Sequence, residues 1–276
     1  MLKKSINLIK ILTVLFLLMG VEYSHAGEES AKEGNVFRQG RDLIGTKVEI
    51  ACYNDDEKAA NDGFEAAFAE ISRLEGILSE YKEGSVVSQI NNAAGKKPVE
   101  VPKEVITIIR EALLVSELSQ GAFDITFASL GRLWKFVGEG SGVVPQPGEI
   151  AKYVKLVNYR NVSVDAVKNT VFQKKEGMRI GLGGVSKGFI VDRSLKVLEE
   201  KGLPDCFVNA GGDIAFAGDK GGKPWQIGIQ DPDKKRDYVA AVSVQGKGAV
   251  VTSGDYERFF EKDGKRYHHI LDPKTG

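Results

Sequence analysis

Histidine and cysteine are nearly absent from this chain: His25, His268 and His269, with Cys52 and Cys206, are all it has in 276 residues. No Cys-x-x-Cys or His-x-x-x-His spacing occurs, which excludes the usual zinc sites. Two cysteines make no disulfide framework, and their apolar, strand-like contexts read as buried free thiols. A serine-hydrolase elbow, G-x-S-x-G, is also missing. So is an excess of one charge: 38 basic residues face 38 acidic ones. A nucleic-acid partner would require a strongly basic surface, so that class is excluded. Nor does any apolar run reach the roughly 20 residues that span a bilayer.

One apolar run, Ile11 to Val21, follows Lys3, Lys4 and Lys10 and precedes Ser24-His25-Ala26. That is the pattern of a secretory signal peptide over residues 1–26. The expectation is an exported, periplasmic or extracytoplasmic chain. No cysteine follows the run closely enough to be acylated, so membrane contact is expected to be peripheral or nil. Cleavage would remove three lysines and Glu22, leaving 35 basic against 37 acidic residues. It would also remove His25, so His268 and His269 become the only imidazoles. Residues 27–39 are polar and read as a tether, with one domain over 40–276. With 42% apolar residues, a chain of this length can bury a large core in one domain or two lobes.

Alternation of Val48, Ile50 and Cys52 predicts a strand from Leu43 to Cys52. Asn54-Asp55-Asp56 offers caps for a helix carrying Phe64, Phe68, Ile71, Leu74 and Leu78 at helical spacing. A second helix is announced by Pro102 and closed by Gly121, with Val105, Ile109 and Leu113 on one face. Gly138 to Gly148 reads as a loop and a lobe boundary. A short helix follows, then a strand near Val171, and Gly181 to Gly188 opens a helix ending at Gly202. Strands are expected at 206–208, 225–229 and 238–244, and Asp263-Gly264 is a two-residue hairpin signal. Mixed elements with late hairpins favour an α+β fold, largely antiparallel, over a regularly alternating parallel sheet.

The glycine cluster invites a phosphate-binding reading, because a side-chain-free loop before a helix presents backbone N–H groups to an anion. It matches neither common template. Ser186 stands where G-x-G-x-x-G needs glycine, and Ser186 and Gly188 flank Lys187 where a Walker loop needs glycine and Ser or Thr. Close helix–sheet packing explains the glycines equally well. Lys187, near the helix start, opposes the helix dipole, an inconsistency better tolerated where a ligand is met. Asn209 to Asp213 and Gly121 to Thr126 each place polar side chains on a turn. Those residues can serve their own backbone or a ligand, and Asp124 can cap the helix that follows. Any metal would need oxygen ligands, hence magnesium or calcium over zinc or copper.

In order, Ile44-Gly45-Thr46, Leu78 to Tyr81 with Ser85 and Ser88 to Asn91, Gly121 to Asp124, Gly183 to Gly188 with Asp192-Arg193, Asn209 to Asp213, Ser253 to Arg258 and His269 to Gly276 resemble the ApbE family of FAD:protein FMN transferases. The resemblance implies two lobes around a flavin cleft, with FAD as substrate and magnesium at its pyrophosphate. It also implies FMN transfer to a threonine of an exported electron-transport protein, with AMP leaving. Carried over position by position, Ile44, Tyr81, Ala122, Phe123, Asp124, Gly181, Lys187 and Ile270 become flavin-dinucleotide contacts. The carbonyl of Gly184 becomes a magnesium ligand, and His269 the candidate base. Two departures stand out. The family often has aspartate where this chain has Gly181, and it continues beyond Gly276 into a segment whose Asp and Thr complete the metal site. The expectation is therefore a chain whose C-terminal part is missing. Two other readings remain open: an exported FAD-binding protein without transfer activity, and an FAD pyrophosphatase.

Overall fold

The computed structural model describes residues 34–136, 142–231, 234, 237–254 and 259–276. The expected signal peptide, residues 27–33 of the expected tether, residues 138–141 of the expected loop and Asp255 to Arg258 lie outside them.

Strands β1 (Asn35–Leu43) and β2 (Thr46–Asn54) form an antiparallel hairpin, with Gln39 opposite Ile50 and Leu43 opposite Thr46. Residues 35–39, expected in the tether, are thus half of a strand. Its side chains are largely exposed on both faces, so backbone pairing alone holds it and no alternation announces it. The strand expected from Leu43 begins later, because the chain reverses at Ile44-Gly45, with φ of 50° and 72°. Positive φ at both central residues is the two-residue turn that matches strand twist.

Helix α1 (Glu57–Leu78) starts at Asp56, whose carboxylate accepts from the N–H groups of Lys58 and Ala59. That satisfies donors left orphaned by the first turn. Its stripe Phe64, Phe68, Ile71, Leu74 and Leu78 is buried as expected. Helix α2 (Val86–Asn92) follows, then β3 (Val99–Glu100) and α3 (Lys103–Leu118), whose chain turns at Gly121 with φ of 81°. A 3-10 turn at Ile125–Phe127 runs into the single turn α4 (Ala128–Gly131), and α5 (Pro147–Val154) has proline in its first turn. Strands β4 (Val162–Asp165) and β5 (Thr170–Gln173) complete a three-stranded sheet of order β3-β5-β4.

Helix α6 (Gly183–Glu200) begins inside the glycine cluster and gives way to Gly202 at φ 81°. It packs on α1 and on β6 (Cys206–Ala210) and β7 (Asp213–Ala217). Beyond these come the ribbon β8 (Trp225–Gln230) with β9 (Tyr238–Val244), then β10 (Gly248–Val251), and the hairpin β11 (Phe259–Lys262) with β12 (Lys265–His268). Asp263 and Gly264 turn that hairpin at φ of 53° and 72°, the geometry the dipeptide predicts. The main sheet has order β1-β2-β6-β7-β10, and every pairing in it is antiparallel. The fold is therefore α+β. Residues 34–276 gather into one compact unit, and none of the described helices is long and apolar enough to cross a membrane.

Both cysteines are free and fully buried, and the β2–β6 register sets them directly opposite each other. Burial pushes the Cys52 thiol up to about 11 and Cys206 up to about 12. A thiol whose pKa is raised in the folded state favours the fold at low pH and loses that advantage once the unfolded chain ionises. Wild-type protein should therefore lose stability relative to a C52A/C206A variant as pH rises above about 9. Denaturant melts at stepped pH would read this, and parallel curves for the two proteins would refute it.

Candidate functional site

The segment entering the glycine cluster is held by three separate elements. Ser129 Oγ accepts from Arg179 N–H at 2.8 Å. Asn91, from α2, receives the N–H of Ile180 on Oδ1 at 2.7 Å and donates Nδ2 to its carbonyl at 3.0 Å. Gly181 N–H donates to the Ile125 carbonyl at 2.8 Å. Gln173 Nε2 completes Asn91 with a 2.9 Å bond to Oδ1. Asn91 is buried, where an amide without partners would be costly and a satisfied one fixes geometry.

Gly181 itself is boxed in. A Cβ there would lie 2.8 Å from Glu80 Oε1 and 2.9 Å from the Cβ of Ala128. The absent side chain is therefore a packing requirement in this chain. One step on, Leu182 provides no side-chain cap for α6, and Gly183 and Gly184 are exposed. A Cβ on Gly183 or Gly188 would meet open space. The first turn of α6 thus presents backbone N–H groups to an open region, the arrangement that attracts anions.

Around that turn stand the other expected residues. Phe123 packs on Gly184, its Cε2 3.0 Å from where a Cβ would sit, and its N–H is held by Ser119 Oγ. Ala122 beside it is exposed. Asp124 is buried, and its carboxylate accepts from Thr126 N–H, Thr126 Oγ1 and Tyr159 N–H. Its side chain caps the 3-10 turn. Lys187 lies in the second turn of α6, not the first, and pairs with Asp213 at 2.9 Å. That partner offsets the unfavourable dipole.

Asp213 follows the turn Gly211-Gly212, at φ of 61° and 93°, which joins β6 to β7 and is braced by Asn209 Oδ1 accepting from Gly212 N–H. Gly211 in turn donates to the Lys47 carbonyl and abuts Thr46, two residues past Ile44. Ile44 lines a surface depression of about 400 Å³ with Thr46 and Glu75. Tyr81 projects from the end of α1 with 86% of its surface exposed. Its turn is shaped by Ser79, whose Oγ accepts from Tyr81 and Lys82 N–H groups and whose carbonyl accepts from Ser85 Oγ.

The terminal residues reach this assembly through α4. Ala128 touches Gly181, while Leu130 touches Gly276, and Trp134 Nε1 donates to the Gly276 carbonyl at 3.0 Å. Tyr267 stacks on Phe260 and leans on Trp134. His269 is half-buried just beyond β12, and Ile270 is exposed with its N–H on His268 Nδ1. The structure thus links Ile44, Phe123, Gly181, Gly184 and Lys187 through successive contacts. It sets His269 and Ile270 on a separately anchored hairpin. Glu80 and Asn91 stand inside the motif segments, but what they touch is not legible in sequence, because Gly181 and Ile180 are about 90 to 100 residues away. No three His, Cys, Asp or Glu side chains converge to hold a metal among the described residues.

Known proteins resemble this chain in sequence and in fold. A family model described as the ApbE family matches residues 44–276. An FAD:protein FMN transferase of Klebsiella pneumoniae is 33% identical over 245 residues, covering 88% of this chain and 74% of that protein. One from Treponema pallidum is 32% identical over 249 residues, covering 85% and 68%. Among solved structures, the ApbE protein of Thermotoga maritima superposes with a TM-score of 0.79 at 36% identity, covering 87% of this chain and 77% of that one. The flavin transferase ApbE from Vibrio cholerae gives 0.75 at 26%, covering 88% and 77%.

Removing the Asn91 amide would orphan groups on Ile180 and Gln173. We expect N91A to cost about 2–4 kcal/mol of stability, read as a lowered denaturation midpoint. A loss under about 0.5 kcal/mol, the surface-substitution range, would show that water replaces the amide.

Proposed function

The chain belongs to the ApbE family, and from that premise we propose that it transfers FMN from FAD to a threonine hydroxyl of an exported electron-transport protein. What carries the reading is that Phe123 and Asp213, from two other segments, meet Gly184 and Lys187 near the uncapped and open start of α6, with Thr46 joined to Asp213's turn through Gly211. An isoalloxazine can stack on exposed Tyr81, and a pyrophosphate can take the N–H groups of Gly183 and Gly184. Lys187 supplies positive charge one turn further along α6, already oriented by Asp213. Export is supported by the signal-peptide pattern of residues 1–26.

The chemistry asks for positioning and charge neutralisation more than for a nucleophile of the enzyme's own. The threonine oxygen attacks the FMN-side phosphorus as its bond to the AMP oxygen breaks. The hydroxyl proton passes to a base, for which we assign His269, and AMP leaves with the bridging oxygen. Magnesium is part of the proposed reaction as a partner of the pyrophosphate, since such ions are commonly held through substrate phosphates and few protein ligands. The described side chains do not by themselves form a magnesium cage, and the Gly184 carbonyl is the contact we assign. That same scarcity of converging carboxylates favours, as a second reading, an FAD-binding protein without transfer activity.

Incubation with FAD, magnesium and a threonine peptide from an acceptor, followed by mass spectrometry, separates the readings. A flavinylated peptide is expected. Unchanged FAD would point to the binding protein, and free FMN with AMP to a pyrophosphatase. In the same assay H269A should lower the transfer rate by about 100-fold, the scale of general-base catalysis, while FAD still binds. Transfer at the wild-type rate would retire His269 as the base.

A further inference from the structure

The Glu80 carboxylate is not used by the capping, core or hairpin interactions described above. It comes from the turn after α1 and lies against the backbone of Gly181, with Oε1 2.8 Å from where a side chain at 181 would begin. Three anchors fix residues 179–181, so the carboxylate meets a rigid stretch of backbone. Its polar neighbours are Tyr81, which gives it a hydrogen bond, and the positive charge of Arg179. A single bond from Tyr81 uses one of roughly four acceptor positions on a carboxylate. Burial pushes this carboxyl above the usual carboxylate range, against the pull of Arg179 and Tyr81. A half-buried acid with acceptor capacity to spare is costly unless a donor completes it.

We propose that Glu80 is a dinucleotide-binding residue, its carboxylate accepting a hydrogen bond from an N–H or O–H donor of FAD in the space beside Gly181. The inference rests on the proposed function. It gives Gly181 a specific meaning: the position carries no side chain because the acid that serves that space arrives from position 80. A carboxylate reaching the space from 181 would require both Glu80 and Ala128 to give way.

Titrating FAD against wild type, E80S and E80Q, with flavin fluorescence as readout and thermal melts as a check on folding, tests this. A lost hydrogen bond to a charged acceptor should weaken FAD binding by E80S by about tenfold. E80Q keeps an acceptor oxygen on a side chain of the same length and should recover part of that loss. Wild-type affinity in E80S, or E80Q binding no better than E80S, overturns the role of Glu80 while leaving flavin binding intact. A wild-type protein that binds no FAD overturns the proposed function, and this inference with it.

Discussion

The site depends on the double hydrogen bond that Asn91 makes to the backbone of Ile180. A lone residue of irregular backbone, about to enter a helix through a run of glycines, has little to hold it. Glycine surrenders more conformational entropy on folding than any other residue, so the turn from Gly181 to Gly184 would wander without an external clamp. Asn91 mimics a neighbouring strand, offering acceptor and donor to one peptide unit. Ser129 and Ile125 extend the clamp to either side, and the start of α6 is then fixed relative to three other elements.

Much of this fold is legible in the sequence where local rules act. Asp263-Gly264 specified its hairpin because only a few residue pairs accept positive φ at both positions. The apolar stripe of α1 and the start of α6 were legible for the same reason: periodicity and glycine are local signals. β1 was not, since its exposed side chains carry no alternation and its stability comes from β2. The reversal at Ile44 was hidden too, because a β-branched residue at φ 50° contradicts the usual turn chemistry.

The site divides along the same line. The motif segments could be placed in order from sequence, and the structure gathers most of them around one helix start. What sequence could not convey is how space is shared. Asp124 offers an acid on a turn, suited to a ligand, a cap or both, and its bond from Tyr159 N–H, 35 residues away, lies beyond any local rule. Lys187 opposes the helix dipole on paper, yet Asp213 answers it from a hairpin 26 residues away in sequence.

The crowding at Gly181 constrains the order in which this protein can change. Glu80 and Ala128 together fill the volume that a side chain at 181 would enter, and Ala128 belongs to the same short turn whose Leu130 supports Gly276. A larger residue at 181 is admissible only after positions 80 and 128 have both given way, so the reverse order passes through a clashing intermediate. A side chain at 181 is therefore out of reach of any single substitution in this chain.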